Sequence, residues 1–178
     1  LGDGYKRQAS AKYISYLLTP ATVCLAVPLY EQLELLKKNK AAVVCGILSG
    51  TLASLTGIFV LCMLFGFNHQ QYVTMLPKSI TTAIGIGISE ELGGIVTITV
   101  AVIIITGILG NVIADTVFHI FKIKNPLAKG LALGTASHAI GTARAIEMGP
   151  VEGAMSSLAV AVAGLLTVVF VSGFAQLI

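Results

Sequence analysis

The sequence predicts an all-α integral membrane protein in which clean transmembrane helices alternate with broken or re-entrant helical segments. Three observations carry this. Of the 178 residues, 56% are hydrophobic and only 11% charged, with a mean hydropathy of +0.92, whereas soluble domains carry about a quarter charged residues. Apolar runs at 41–65, 95–120 and 150–178 are each long enough for a bilayer core, which takes about 20 residues. The stretches between them are apolar too, yet are dotted with prolines, glycines and polar side chains. Interrupted segments in corresponding positions mark transporter sites, so the pattern fits an inverted-repeat, transporter-like bundle.

The formal net charge of +3 comes from lysines near segment ends. It suits anchoring at an anionic cytoplasmic leaflet and is too small to argue for nucleic acid. No cleavable signal with a basic head and small-residue cleavage site is legible. Cys24, Cys45 and Cys62 all sit in apolar stretches, without a CxxC pair or a His/Cys cluster at metal-ligand spacing. They read as small packing residues, and no metal or cofactor is expected.

Residues 1–12 form a basic, polar lead-in, with Lys6, Arg7 and Lys12. Residues 13–30 are apolar but interrupted by Pro20 and Pro28, which makes a broken or re-entrant segment rather than a plain span. In 31–40, Leu33 and Leu36 at i, i+3 give a short amphipathic interfacial helix. The first clean span, 41–65, carries Gly46 and Gly50 as a GxxxG, continued by Ser54 and Gly57 on nearly the same face. Small residues let backbones approach in lipid, either within this chain or between two copies of it.

After a polar turn at 66–71 comes 72–94, YVTMLPKSITTAIGIGISEELGG. Pro77 sits where a helix would start, with Lys78 and Ser79 directly behind it. Lys78, Thr82, Gly85 and Ser89 share a helical face. The second clean span, 95–120, carries Asn111 and Asp115 near its lysine-rich end, where they read as an interfacial cap. Then 130–149, GLALGTASHAIGTARAIEMG, places Thr135, Ser137, His138, Thr142, Arg144 and Glu147 in an otherwise apolar stretch. In a bilayer such residues face protein or a watery cavity, and mark function by default. Glycines beside them predict helix breaks, at Gly85–Gly87 and near Gly141.

Lysine placement orients these segments. Lys37, Lys38 and Lys40 precede the first clean span, and Lys122, Lys124 and Lys129 follow the second, so both loops are read as cytoplasmic. Residues 72–94 must then begin and end outside as a re-entrant hairpin, and 130–149 dips from inside. The competing arrangement has both segments crossing fully.

The candidate substrate-binding residues are the polar groups of these two segments: Lys78, Ser79, Thr81, Thr82, Thr135, Ser137, His138, Thr142 and Arg144. Fixed cations, hydroxyl donors and free backbone N–H groups at half-helix ends are what an anionic solute needs. Each has a plainer alternative. Lys78 can snorkel to headgroups, His138 can bridge helices, and Arg144 can form a clamp with Glu147 or Glu152. Arg144 is the residue expected at a substrate carboxylate, because its planar fork binds both oxygens. An enzyme is not expected: Ser137, His138 and Glu147 make no triad, since adjacent side chains on a helix diverge by about 100°.

The motifs PATVCLAVPLYEQLELLKK, LPKSITTAIGIGISEELGG, TGILG and KNPLAKGLALGTASHAIGTARAIEMGPVEGAMSSLA together resemble the LrgB/CidB antiholin-like family, which includes the plastid glycolate/glycerate translocator. The resemblance covers essentially the whole of 1–178 as a single membrane domain. Family members begin with further N-terminal membrane segments that this sequence does not show. Where many relatives read KSxTTPIA this chain reads KSITTAIG, with Ala83 in place of a proline. The resemblance implies a multi-pass protein of a bacterial cell membrane and two functional readings. One is alternating-access transport of small monocarboxylates such as glycolate, glycerate, pyruvate or lactate. The alternative is an antiholin-like protein that modulates murein hydrolase activity and cell lysis. It also implies a homo-oligomer and a small LrgA/CidA-like membrane partner.

Overall fold

The computed structural model describes residues 30–178. The proline-interrupted segment at 13–30 and Cys24 therefore fall, but for Tyr30, outside the described residues. Seven helices follow in order: α1 (Leu33–Lys38), α2 (Lys40–Leu64), α3 (His69–Met75), α4 (Thr82–Glu91), α5 (Val96–Ile120), α6 (Pro126–Met148) and α7 (Pro150–Ala175). Of these, α2, α5 and α7 are long and apolar enough to cross a membrane, at about 37 Å each. Their outward faces carry large apolar side chains such as Val112 and Val169, which suit lipid.

The helix ends follow from local chemistry. The polar turn after α2 places Gly66 in the left-handed region, where it lets the N–H groups of Gly66 and Phe67 reach the carbonyls of Met63 and Cys62. Gly93 closes α4 in the same way, onto Glu90 and Ser89. Asn68 and Gln71 form a capping box that starts α3, and Asn125 caps α6 with Pro126 in its first turn.

Both interrupted segments fold back on themselves. In the first, α3 and α4 are separated by the non-helical stretch 76–81. Their far ends meet: Gln70 Nε2 donates to the Gly93 carbonyl at 3.4 Å, and the Ile95 N–H donates to Thr74 Oγ1 at 2.8 Å. The expected break at Gly85–Gly87 is wrong in position, because those glycines lie inside the continuous α4. Pro77 removes a donor and restricts the residue before it, which stops a helix, whereas a glycine only weakens one. Gly85 serves instead to let α4 lie against Ile103 of α5.

The second hairpin lies within α6. His138 takes φ 43°, ψ −138°, and the chain reverses there. Gly141 consequently packs on Leu133, and Phe118 of α5 shares a core with both Leu133 and Ala145. A straight helix could not bring these residues together, since Leu133 and Gly141 would lie about 12 Å apart along its axis. The break thus falls at His138, three residues ahead of the expected Gly141. Gly130 and Gly134 are where α6 presses on the α7 backbone at Glu152 and Ser156.

The hairpins enter the bundle from opposite ends. The α3–α4 hairpin opens beside the end of α7, where Tyr72 Oη donates to the Phe174 carbonyl at 2.9 Å. The α6 hairpin opens at the lysine-rich end, where Lys129 Nζ lies 5.8 Å from the Phe118 ring centre.

Candidate functional site

The far-end hairpin carries its polar tip to the middle of α2. There Lys78 Nζ donates to Ser79 Oγ at 2.7 Å and to Ser54 Oγ at 3.4 Å, and Ser54 Oγ donates to Ser79 Oγ at 3.0 Å. Pro77 and the non-helical backbone after it let two consecutive side chains point the same way, which a helix would forbid. Among the described residues no carboxylate pairs with Lys78.

This cluster ends a groove of about 760 Å³ between α2 and the first arm of α6, whose lining includes Gly46, Gly50, Leu131 and Thr135. A much smaller space of about 10 Å³ lies behind it, bordered by Ser54, Ser79, Thr135 and Thr167; that is room for about one water. The GxxxG of α2 is used within the chain. A Cβ at Gly46 would meet Leu131 at 3.1 Å, and one at Gly50 would meet Thr135 Oγ1 at 3.0 Å.

Of the residues singled out from sequence, Lys78, Ser79 and Thr135 come together at this groove. Thr135 has committed its proton to the Leu131 carbonyl at 2.8 Å, so it offers only an acceptor. Thr81 and Thr82 stand at the start of α4, half-buried and outside the groove lining. Ser137, His138 and Thr142 are buried on the side of the α6 hairpin that faces α5 and α7. Ser137 packs on Gly110, His138 Nε2 donates to the Ile103 carbonyl at 3.0 Å, and Thr142 pairs with Ser156 at 2.8 Å. Thr142 also donates to the His138 carbonyl at 3.0 Å, so the shared proton of that pair belongs to Ser156.

Arg144 lies elsewhere. It sits on the return arm of α6 and is gripped by two carboxylates, Asp115 of α5 and Glu147, the latter at 2.7 Å. Glu152, the other expected partner, lies against Gly149 instead. Asn111, one turn before Asp115, donates to the Ile140 carbonyl at 3.3 Å, so Asn111 and Asp115 both hold the return arm. Two contacts were not read from sequence: Ser54, grouped with packing residues, meets Lys78 and Ser79, and Asp115, read as part of an interfacial cap, pairs with Arg144. A hydroxyl one turn beyond a GxxxG is the signal that Ser54 offered.

Fold and site together define a class, the multi-pass helical membrane proteins in which two hairpins flank a largely apolar groove that ends in a polar cluster. The LrgB-like family model matches residues 3–177, and the chain belongs to that family. Curated relatives from Bacillus cereus (strain B4264) and Bacillus anthracis (strain CDC 684 / NRRL 3495), each named antiholin-like protein LrgB, are 42% identical to it over 163 residues. The match covers 92% of this chain and 71% of each relative. No solved structure matches the chain at a significant level. With three span-capable helices and bacterial relatives, this is a multi-pass bacterial membrane protein.

Proposed function

We propose that this protein carries small monocarboxylates across the membrane by alternating access, binding the carboxylate at Lys78 and Ser79. One observation carries the reading: an ammonium group without a carboxylate partner among the described residues stands at the inner end of a groove. A half-buried cation without a counter-charge is costly, and an anionic ligand offsets that cost. With the lysine-rich end in the cytoplasm, the α3–α4 hairpin re-enters from outside and the α6 hairpin from inside. A span followed by an outer hairpin (α2, α3–α4) and a span followed by an inner one (α5, α6) then form two units of opposite orientation. Such inverted units rock around a fixed midplane site in carriers.

The relatives' name, antiholin-like protein LrgB, backs a second reading more directly: the control of murein hydrolase activity and lysis that the family resemblance implies. Counterflow in proteoliposomes separates the two. The carrier reading expects saturable exchange of labelled glycolate, lactate or pyruvate. It also expects Lys78→Gln to lower the rate by at least about tenfold, the effect of one lost charge-assisted contact. Release of an uncharged dye alongside the acids, without saturation, would replace the carrier reading with the lytic one.

A further inference from the structure

Ser54 belongs to a clean membrane span and was expected only to pack. Its hydrogen bonds say more. A serine has one proton to give and two lone pairs to offer. Ser54 spends its proton on Ser79 Oγ at 3.0 Å and accepts from Lys78 Nζ at 3.4 Å. Ser79 therefore accepts twice, from Ser54 and from Lys78 at 2.7 Å. Its lone pairs are filled, and its own O–H is the remaining capacity. Ser79 is 7% exposed and borders both the groove and the small space behind it. Its proton has those two spaces to point into.

We infer that Ser54 is a positioning residue: it holds the Lys78 ammonium and fixes the direction of the Ser79 proton, so that the tip presents two donors side by side to one ligand oxyanion. The inference rests on the carboxylate site proposed above, but its core, the control of Lys78 by Ser54, holds without any ligand. Without the Ser54 hydroxyl, Ser79 regains a free lone pair and a freely turning O–H, and Lys78 keeps one anchor instead of two. Loss of packing alone would change neither the reactivity of Lys78 nor its affinity for an anion.

The test follows acylation of Lys78 by a membrane-permeant succinimidyl ester, read by mass spectrometry on the full chain in lipid nanodiscs, with glycolate as the anion probe. Ser54→Ala is expected to speed acylation by at least about threefold, as one modest hydrogen bond to a charge is lost. The glycolate concentration giving half protection should rise about tenfold, and Ser54→Thr should restore both values. An acylation rate in Ser54→Ala equal to wild type overturns the inference. So does an unchanged half-protection concentration where glycolate protects. Faster acylation of Ser54→Ala with no protection of either protein leaves the positioning role standing and defeats the carboxylate site instead. Should Ser54→Ala fail to insert, Ser54→Cys, with its weak hydrogen bonding at similar volume, takes its place.

Discussion

The two hairpins do the same topological job with different chemistry. The α3–α4 hairpin turns through an open stretch at 76–81 and is fastened to α5 by neutral hydroxyls. Thr99 Oγ1 donates to the Thr74 carbonyl at 2.9 Å and pairs with Ser89 Oγ at 2.8 Å, all buried. The α6 hairpin turns at the single residue His138 and packs backbone to backbone through Gly130, Gly134 and Gly141. Its return arm is tied down by Arg144, whose carboxylate partners are more than half exposed. An open tip can present side chains to a groove, and Lys78 and Ser79 do so. A tight tip has no room for that and offers contour. The contrast also suits depth, since hydroxyl pairs need no water while exposed ion pairs lie where water screens them.

The largest effect should come from the tight hairpin's backbone contacts. A Cβ at Gly134 would fall on the Ser156 carbonyl and within 2.7 Å of Ala159 Cβ. Gly134→Ala should therefore cost about 3 kcal/mol, the upper range for overpacking, seen as a large drop in Tm in detergent. Gly87→Ala in the open hairpin meets nothing within 4 Å and should leave Tm at or slightly above wild type. Equal effects at the two glycines would erase the distinction.

Next comes the turn at His138. His138→Ala keeps the strained backbone and loses the bond to Ile103, whereas His138→Gly loses the bond and relieves the strain. The glycine variant should be the more stable of the two by about 1 kcal/mol, measured by thermal unfolding of both. The reverse order would mean that the side chain, not the backbone, makes the turn.

The fastenings should differ in kind. Thr99→Val leaves the Thr74 carbonyl and Ser89 short of a partner and should cost about 1–2 kcal/mol at any ionic strength. Arg144→Gln should shift Tm only slightly, and the shift should fade as salt is raised. If Arg144→Gln instead abolishes counterflow at unchanged Tm, Arg144 meets substrate, and the clamp gives way to the role expected of it from sequence.

Much of this was legible beforehand, for physical reasons. The first clean span was expected at 41–65 and found at Lys40–Leu64, because hydrophobic length and a glycine stop are local signals. That two polar segments would be interrupted was equally plain. Where they break was legible only in part. Pro77 was taken to open a helix, yet its lost donor ends the preceding one. The glycines marked a turn near Gly141, but not the residue that makes it: His138 is held there by a carbonyl on another helix, 35 positions away. Arg144 showed its neighbour Glu147 in sequence, while Asp115 came within reach only when α6 folded back on α5.

Entry of the two hairpins from opposite membrane faces is open to a direct test in a cysteine-free background, with Cys24, Cys45 and Cys62 replaced. Single cysteines are placed at Gln71 and Glu91, flanking the first hairpin, and at Lys124 and Glu147, flanking the second. An impermeant maleimide is applied to intact and to inverted membrane vesicles. Positions 71 and 91 should label together from one face, and 124 and 147 together from the other. Either pair divided between the two faces would mean that its segment crosses the membrane, and the opposed-hairpin account would be contradicted.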